Sequence, residues 1–229
     1  MRAGARFALG LRAVLPLLLG VAPFGVIYGV VALQSGIPAL AAMAMSSIVF
    51  AGSAQFLLAQ LAGVGAPVLL SAGAVGLINL RHALYSASVA PMLAHLPRRW
   101  KLLLAYLLTD EAYAAAIPHL ISARKDDASA AHWILLGSGF GLWAGWQVAT
   151  LAGVVLGAQL PAGLGLDFAL PLTFIAIVVP MIASRAMLAA ALAAAATAVL
   201  LAGLPYKLGL FLAALAGLAV GALWSRESA

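Results

Sequence analysis

Asn79-Leu80-Arg81-His82-Ala83-Leu84-Tyr85-Ser86 stands near the middle of an apolar stretch that runs 67–93, and Leu108-Thr109-Asp110-Glu111 stands near the middle of the next, 101–121. Around them the chain is close to pure hydrocarbon. It is 66% hydrophobic and 8% charged over 229 residues, where a soluble domain carries about 25% charged residues. Nearly every long window is apolar enough to cross a bilayer as a helix. The segments are continuously apolar and do not alternate, which argues against a β-barrel. The sequence therefore specifies an all-α, polytopic membrane helical bundle forming one transmembrane domain over 1–229. Ionisable groups at bilayer depth are costly and mark substrate or proton paths.

Working outward, hydropathy and helix breakers divide the chain into eight apolar segments, 11–34, 39–61, 67–93, 101–121, 131–157, 166–184, 186–203 and 205–225. Arg2, Arg6 and Arg12 precede an apolar run in the manner of a signal peptide, but the run continues to Leu33 and reads as a span. A weak internal repeat is visible. Gly29-Val30-Val31 leads to Gly36-Ile37-Pro38-Ala39, and Gly153-Val154-Val155 leads to Gln159-Leu160-Pro161-Ala162; at the same offset Phe50 falls on Phe174. Eight straight crossings would put the basic groups Arg2/Arg6/Arg12 and Arg98/Arg99/Lys101 on opposite sides, against the positive-inside rule. If the second and sixth segments enter and leave by one face, those groups join Arg185 and Arg226 on the cytoplasmic side, and 122–130 and Lys207 lie outside. This predicts an inverted repeat, 11–121 and 131–225, each with three spans plus one broken or re-entrant segment. Met45-Ser46-Ser47 with Ala51-Gly52-Ser53-Ala54-Gln55 supplies the break in the first half, and Pro171 with Pro180 in the second.

The polar residues suggest chemistry by their spacing. Asn79, His82 and Ser86 share one helical face, and Arg81 and Tyr85 form the neighbouring stripe. If the third and fourth segments pack antiparallel, Arg81 reaches Asp110 or Glu111, and pairing offsets part of a cost of about 2.5–3.5 kcal/mol per charge. Such a pair is either functional or a purely structural bridge. His82 is either a proton carrier or a neutral packing residue. Pro23-Phe24-Gly25 and Gly29 read either as an interrupted helix, offering free backbone groups to a carboxylate, or as a close helix contact. We expect broken backbone at Pro23–Gly29 and Gly52–Gln55 to line one cavity with Ser53, Asn79, His82 and Tyr85, the apolar wall coming from Phe24, Phe50 and Phe56. Gly137-xxx-Gly141-xxx-Gly145, Gly153-xxx-Gly157, Gly217-xxx-Gly221 and the run Ala189–Ala198 read as packing surface.

Other signals bound the function by absence. There is no P-loop, no G-x-S-x-G elbow and no H-E-x-x-H. With no Cys, and with His95, His119 and His132 outside metal spacing, no metal or other cofactor is expected. A net charge of +6 is what cytoplasmic loops require and does not argue for nucleic acid. A carrier is favoured over a passive channel for a small polar solute, and both over a membrane-embedded enzyme.

Pro23-Phe24-Gly25, Met45 to Phe56 with its Phe50-Ala51-Gly52-Ser53-Ala54-Gln55-Phe56 core, Asn79-Leu80-Arg81-His82 with Tyr85-Ser86, and Leu108-Thr109-Asp110-Glu111 occur in one order. In that order they resemble the AzlC/YgaZ family, the large subunits of branched-chain amino-acid exporters. The resemblance is strong over roughly 10–120. It implies export of valine, leucine, isoleucine and sometimes methionine. It also implies a small, separately encoded AzlD-type membrane partner and a place in the bacterial inner (cytoplasmic) membrane. Without a nucleotide motif, such export needs an ion gradient; Asp110, Glu111 and, less centrally, His82 are the expected proton-coupling groups around Arg81 in an alternating-access cycle.

Overall fold

The computed structural model describes residues 3–126, 131–159, 182, 184–205 and 208–227. Among them every regular element is helical, as the apolar patterning requires. Among the described residues three helices are long and apolar enough to cross a membrane, Ala3–Gln34, Val68–Met92 and His132–Gly157. The chain divides into two units.

The larger unit is organised by α1 (Ala3–Gln34) and α7 (His132–Gly157). They run side by side in the same direction. Gly10 meets Ile134 and Ser138, Gly25 meets Ala149, and Gly29 meets Thr150, Gly153 and Val154. The approach is close because both helices present glycine. A Cβ at Gly29 would stand 2.5 Å from the Thr150 carbonyl oxygen and 2.6 Å from the Val154 nitrogen. The α7 glycines are thus packing surface, and so is Gly25-xxx-Gly29 in α1. Pro16 and Pro23 sit inside α1 without ending it, so the interruption expected at Pro23–Gly29 is absent. The helix ends at Gly36, φ +79, where Ile37 N bonds the Ala32 carbonyl at 3.0 Å and Gly36 N bonds that of Leu33. This is a glycine C-terminal cap that turns the chain back.

The second segment then breaks as the sequence predicts. α2 (Ala39–Ile48) starts after Pro38 and α3 (Gly52–Gly63) follows a three-residue break. Tyr28 donates to the Ala42 carbonyl at 3.0 Å, Ser46 bonds Thr150 at 2.9 Å, and Gly63 returns to lie against Ser35. The hairpin therefore enters from the end where α1 finishes, reaches mid-depth, and leaves by the same end. At its tip Phe50 has φ +39, a strained conformation for a bulky side chain.

α4 (Val68–Val89, with a 3-10 turn over Ala90–Met92) crosses to the other end. There α5 (Arg98–Leu107) starts after Pro97, with Trp100 5.0 Å from His132 at the beginning of α7. The fourth segment is not the plain span expected for 101–121. It breaks at Leu108–Thr109, and α6 (Asp110–Asp126) runs back toward the end where α5 began. Its Leu120 packs with Leu93, Leu96, Ala131 and Leu135.

α1-α2-α3 and α4-α5-α6 therefore repeat one plan in opposite directions. Each is a long helix, a turn, a proline, a 10-residue arm, a break, and a returning arm. The inversion expected from the sequence lay between 11–121 and 131–225, and the second of these is described only in part. Because α7 runs parallel to α1, the first spans of those two stretches share one orientation. α6 ends and α7 begins where α1 begins, not at the opposite face as expected for 122–130. Most of segment 166–184, with Pro171, Phe174 and Pro180, lies outside the described residues, as does Lys207.

The smaller unit contains an antiparallel pair, α8 (Arg185–Leu200) and α9 (Leu208–Glu227). Ser184 caps α8 by accepting from Met187 N at 3.2 Å. Gly217 packs on Ala190 and Ala194, and Gly221 on Ala190, the small-residue contact expected of both stretches.

Candidate functional site

The two hairpin tips meet at mid-depth of the larger unit, and α4 passes beside them. Arg81 joins both. Its Nη1 lies 2.6 Å from Asp110 Oδ2 on the second hairpin, and its Nη2 donates to Ser53 Oγ on the first at 2.7 Å. His82 Nε2 is 3.7 Å from Asp110 Oδ1. Tyr106 Oη donates to the Ser47 carbonyl, a group left free by the break, and accepts from Trp143 Nε1 at 2.9 Å. The Phe50 and Tyr106 rings are 5.9 Å apart.

Arg81 and Asp110 meet in a way the sequence did not indicate. α6 starts at mid-depth and runs parallel to α4, so Tyr113 then stacks on Tyr85 at 4.9 Å and bonds Ser88 at 2.9 Å. Each member of the ion pair is about a third exposed, at 34%, so the charges are shielded without being sealed in. Glu111 follows Asp110 in the first turn of α6, where the free N–H groups favour acidic side chains.

Among the described residues, buried side-chain atoms without a hydrogen-bond partner concentrate here. They include Asn79 Oδ1 and Arg81 Nε, with His82 Nε2 no nearer than 3.7 Å to Asp110 Oδ1. Such atoms are rare in folded proteins, because each costs about 1–3 kcal/mol. Their clustering points to a place where a polar molecule completes the bonding.

The sequence-predicted residues fall into separate groups, and two further aromatics, Tyr28 and Trp146, join one of them. Ser53, Arg81, His82 and Asp110 are linked directly. Tyr85 joins them through the His82 ring at 6.3 Å. Phe24, Phe56, Tyr28 and Trp146 form an aromatic cluster: Phe24–Phe56 6.1 Å, Tyr28–Phe56 5.8 Å and Tyr28–Trp146 6.2 Å. Gly25 and Gly29 belong to the α1–α7 contact.

Sequence reasoning missed the polar face of α7. Trp146 Nε1 donates to Gln55 Oε1 at 3.1 Å, and its ring covers Gly52, where a Cβ would be 3.0 Å away. Gln147 accepts from Ser47 at 3.0 Å and donates to the Ser46 carbonyl at 3.1 Å. With Thr150, these residues clasp the first tip. The available signal was Trp146-Gln147-xx-Thr150, one polar face amid glycines.

A family model described as AzlC protein matches residues 16–160, a span that contains both hairpins and α7. Inner membrane protein YgaZ of Escherichia coli (strain K12) is 29% identical over 227 residues, covering 96% of this chain and 89% of that protein. An uncharacterized membrane protein of Archaeoglobus fulgidus is 32% identical over 157 residues, covering 68% of this chain and 65% of the other. No solved structure matches.

Proposed function

The chain belongs to the AzlC family of membrane proteins, and from that premise we propose that it is a secondary transporter exporting branched-chain amino acids, with methionine as a further cargo. The observation that carries the reading is the meeting of two oppositely directed broken hairpins around Arg81–Asp110, with unpartnered polar atoms beside the pair. A hairpin that stops at mid-depth exposes backbone only where protein or a polar cargo covers it. Two such hairpins, entering from opposite ends, give one central site a separate closure on each side, which is the requirement of alternating access.

Arg12, Arg98, Arg99 and Lys101 stand toward the end where α1 begins. α1 is about 48 Å long at 1.5 Å per residue, so its first turns extend beyond a hydrocarbon core of about 30 Å. The positive-inside rule makes that end cytoplasmic. The first hairpin then opens outward and the second inward, in a bacterial inner membrane. Asp110 and Glu111, on the inward hairpin, are the proton-coupling acids, with His82 beside them. A small AzlD-type subunit is the proposed partner.

The test is flux in proteoliposomes. Leucine moves against its gradient when a pH gradient is imposed and exchanges across the membrane without one. Flux that follows the leucine gradient alone, with no trans-stimulation, means a passive pore. No leucine movement in the presence of the small partner removes the cargo assignment.

A further inference from the structure

The two hairpin tips are joined twice, and the joints fall at matching places. The returning arms are joined through α4, where Arg81 holds Ser53 at the start of α3 and Asp110 at the start of α6. The entering arms are joined directly. Tyr106, in the last turn of α5, donates to the carbonyl of Ser47, in the last turn of α2. The last carbonyls of a helix have no partner within it. In α2 that of Met45 takes the Val49 N–H at 2.9 Å, that of Ser46 takes Gln147 Nε2 at 3.1 Å, and that of Ser47 is met from the other hairpin. The Phe50 ring, at the break that follows, lies 5.9 Å from the Tyr106 ring.

The direction of the Tyr106 bond is set by α7. An indole N–H can only donate, so Trp143 Nε1, 2.9 Å from Tyr106 Oη, occupies an acceptor site of the hydroxyl and leaves its proton for the Ser47 carbonyl. Trp143 thus orients Tyr106 from the same helix that clasps the first tip. The two joints differ in charge. Asp110 faces Arg81, His82 and Tyr85, with Glu111 beside it in α6. The Arg81 joint depends on an ionised Asp110 and loosens when that acid takes a proton. The Tyr106 joint is between a neutral hydroxyl and a backbone carbonyl, and protonation of Asp110 leaves it in place.

We propose that Tyr106 is the positioning residue that ties the two hairpins to each other: it keeps the entering arms together while the Arg81 joint is released, so neutralising Asp110 frees one side of the tips and does not open both closures at once. Loss of its hydroxyl leaves the Ser47 carbonyl without that donor and the tips with a single joint. A carrier whose tips part freely becomes a leak.

This rests on the transport reading, and the test includes a readout that needs no cargo. The chain has no Cys, so full-length protein in nanodiscs can carry a single thiol at Ala51, 3% exposed in the break of the first hairpin, or, as a control, at Ala32, fully buried near the C-terminal end of α1. Tyr106→Phe removes one oxygen and keeps the ring. It is expected to speed labelling of the Ala51 thiol by about tenfold, with the Ala32 thiol unchanged. In proteoliposomes the same variant is expected to lose pH-driven leucine accumulation while downhill leucine leak rises. Trp143→Phe, which leaves the Tyr106 hydroxyl unoriented, shifts both readouts the same way by less. Unchanged Ala51 labelling in Tyr106→Phe overturns the proposal, and so does an equal increase at both thiols, which makes Tyr106 ordinary packing. Faster Ala51 labelling with pH-driven accumulation intact shows a joint without a part in coupling and overturns it as well. If Tyr106→Phe does not fold, an unchanged Ala51 rate in Trp143→Phe overturns it. If the wild type moves no leucine, the transport reading falls, and the thiol rates still decide whether Tyr106 joins the hairpins.

Discussion

The two hairpins share a plan and differ in how they are held. The tip of the first is neutral and packed: Ser46 and Gln55 are fully buried, Phe50 and Ala51 nearly so, and α7 supplies hydrogen bonds through Trp146, Gln147 and Thr150. The tip of the second carries the acids. Leu107 packs on Gly139, Tyr106 bonds Trp143, and Asp110 relies on α4 through Arg81. The same break thus serves two ends. One is a fixed polar platform built on the α1–α7 pair, and the other presents a charge whose partner sits on a different helix. Substitutions that act through the platform should change folding, and those at the charged tip should change coupling.

The largest effect is expected at the base of the platform. Gly29→Leu would drive a side chain into the Thr150 and Val154 backbone, which cannot give way as a side chain does. Loss of monodisperse protein in detergent is expected, whereas Gly20→Ala, with nothing within 4 Å of the new carbon, leaves elution unchanged. A well-behaved Gly29→Leu protein would mean that α1 and α7 are not locked together.

At the charged tip, Arg81→Ala strands Asp110. Breaking a buried pair costs about 3–5 kcal/mol, and the partial exposure of both groups puts this one at the lower end. Asp110→Asn keeps the shape and removes the proton site. It is expected to abolish pH-driven leucine flux while exchange continues, and Glu111→Gln shows whether the second acid shares the role. Unchanged pH-driven flux in both variants would make the acids structural.

Trp146→Phe removes the donor to Gln55 Oε1 and should cost about 1–3 kcal/mol in thermal stability, with the pH dependence of flux preserved. Altered coupling at full stability would erase the distinction between the hairpins.

How much of this was legible follows from what sequence carries. The membrane class, the break in 39–61 and the Arg81–Asp110 partnership came from local signals: hydropathy, Gly52 with Ser46 and Ser47, and charges too costly to leave unpaired. The second break was hidden because Leu108–Thr109 contains neither Gly nor Pro and interrupts no hydropathy, so 101–121 reads as one span. The glycines of α1 fit a broken helix and a close contact equally, and only their partners in α7 decide. The inversion between 11–121 and 131–225 was inferred from charge placement, which takes 101–121 as a full span; the break at Leu108–Thr109 removes that crossing, and α7 runs parallel to α1. The clasp of Trp146, Gln147 and Thr150 depends on contacts with Ser46, Ser47 and Gln55 far away in sequence, which a single chain does not disclose.

Sidedness labelling tests the opposed hairpins most directly. The chain has no Cys, so one introduced thiol at a time is the only target for a membrane-impermeant maleimide. Thiols at Gly36 and Gly63, the two ends of the first hairpin, are expected to react from outside the cell only. Thiols at Arg98 and Ser122, the two ends of the second, are expected to react from the cytoplasmic side only. Labelling of Gly36 and Gly63 from opposite sides, or of Arg98 and Ser122 from opposite sides, would show that a hairpin crosses the membrane and would contradict the site built from their tips.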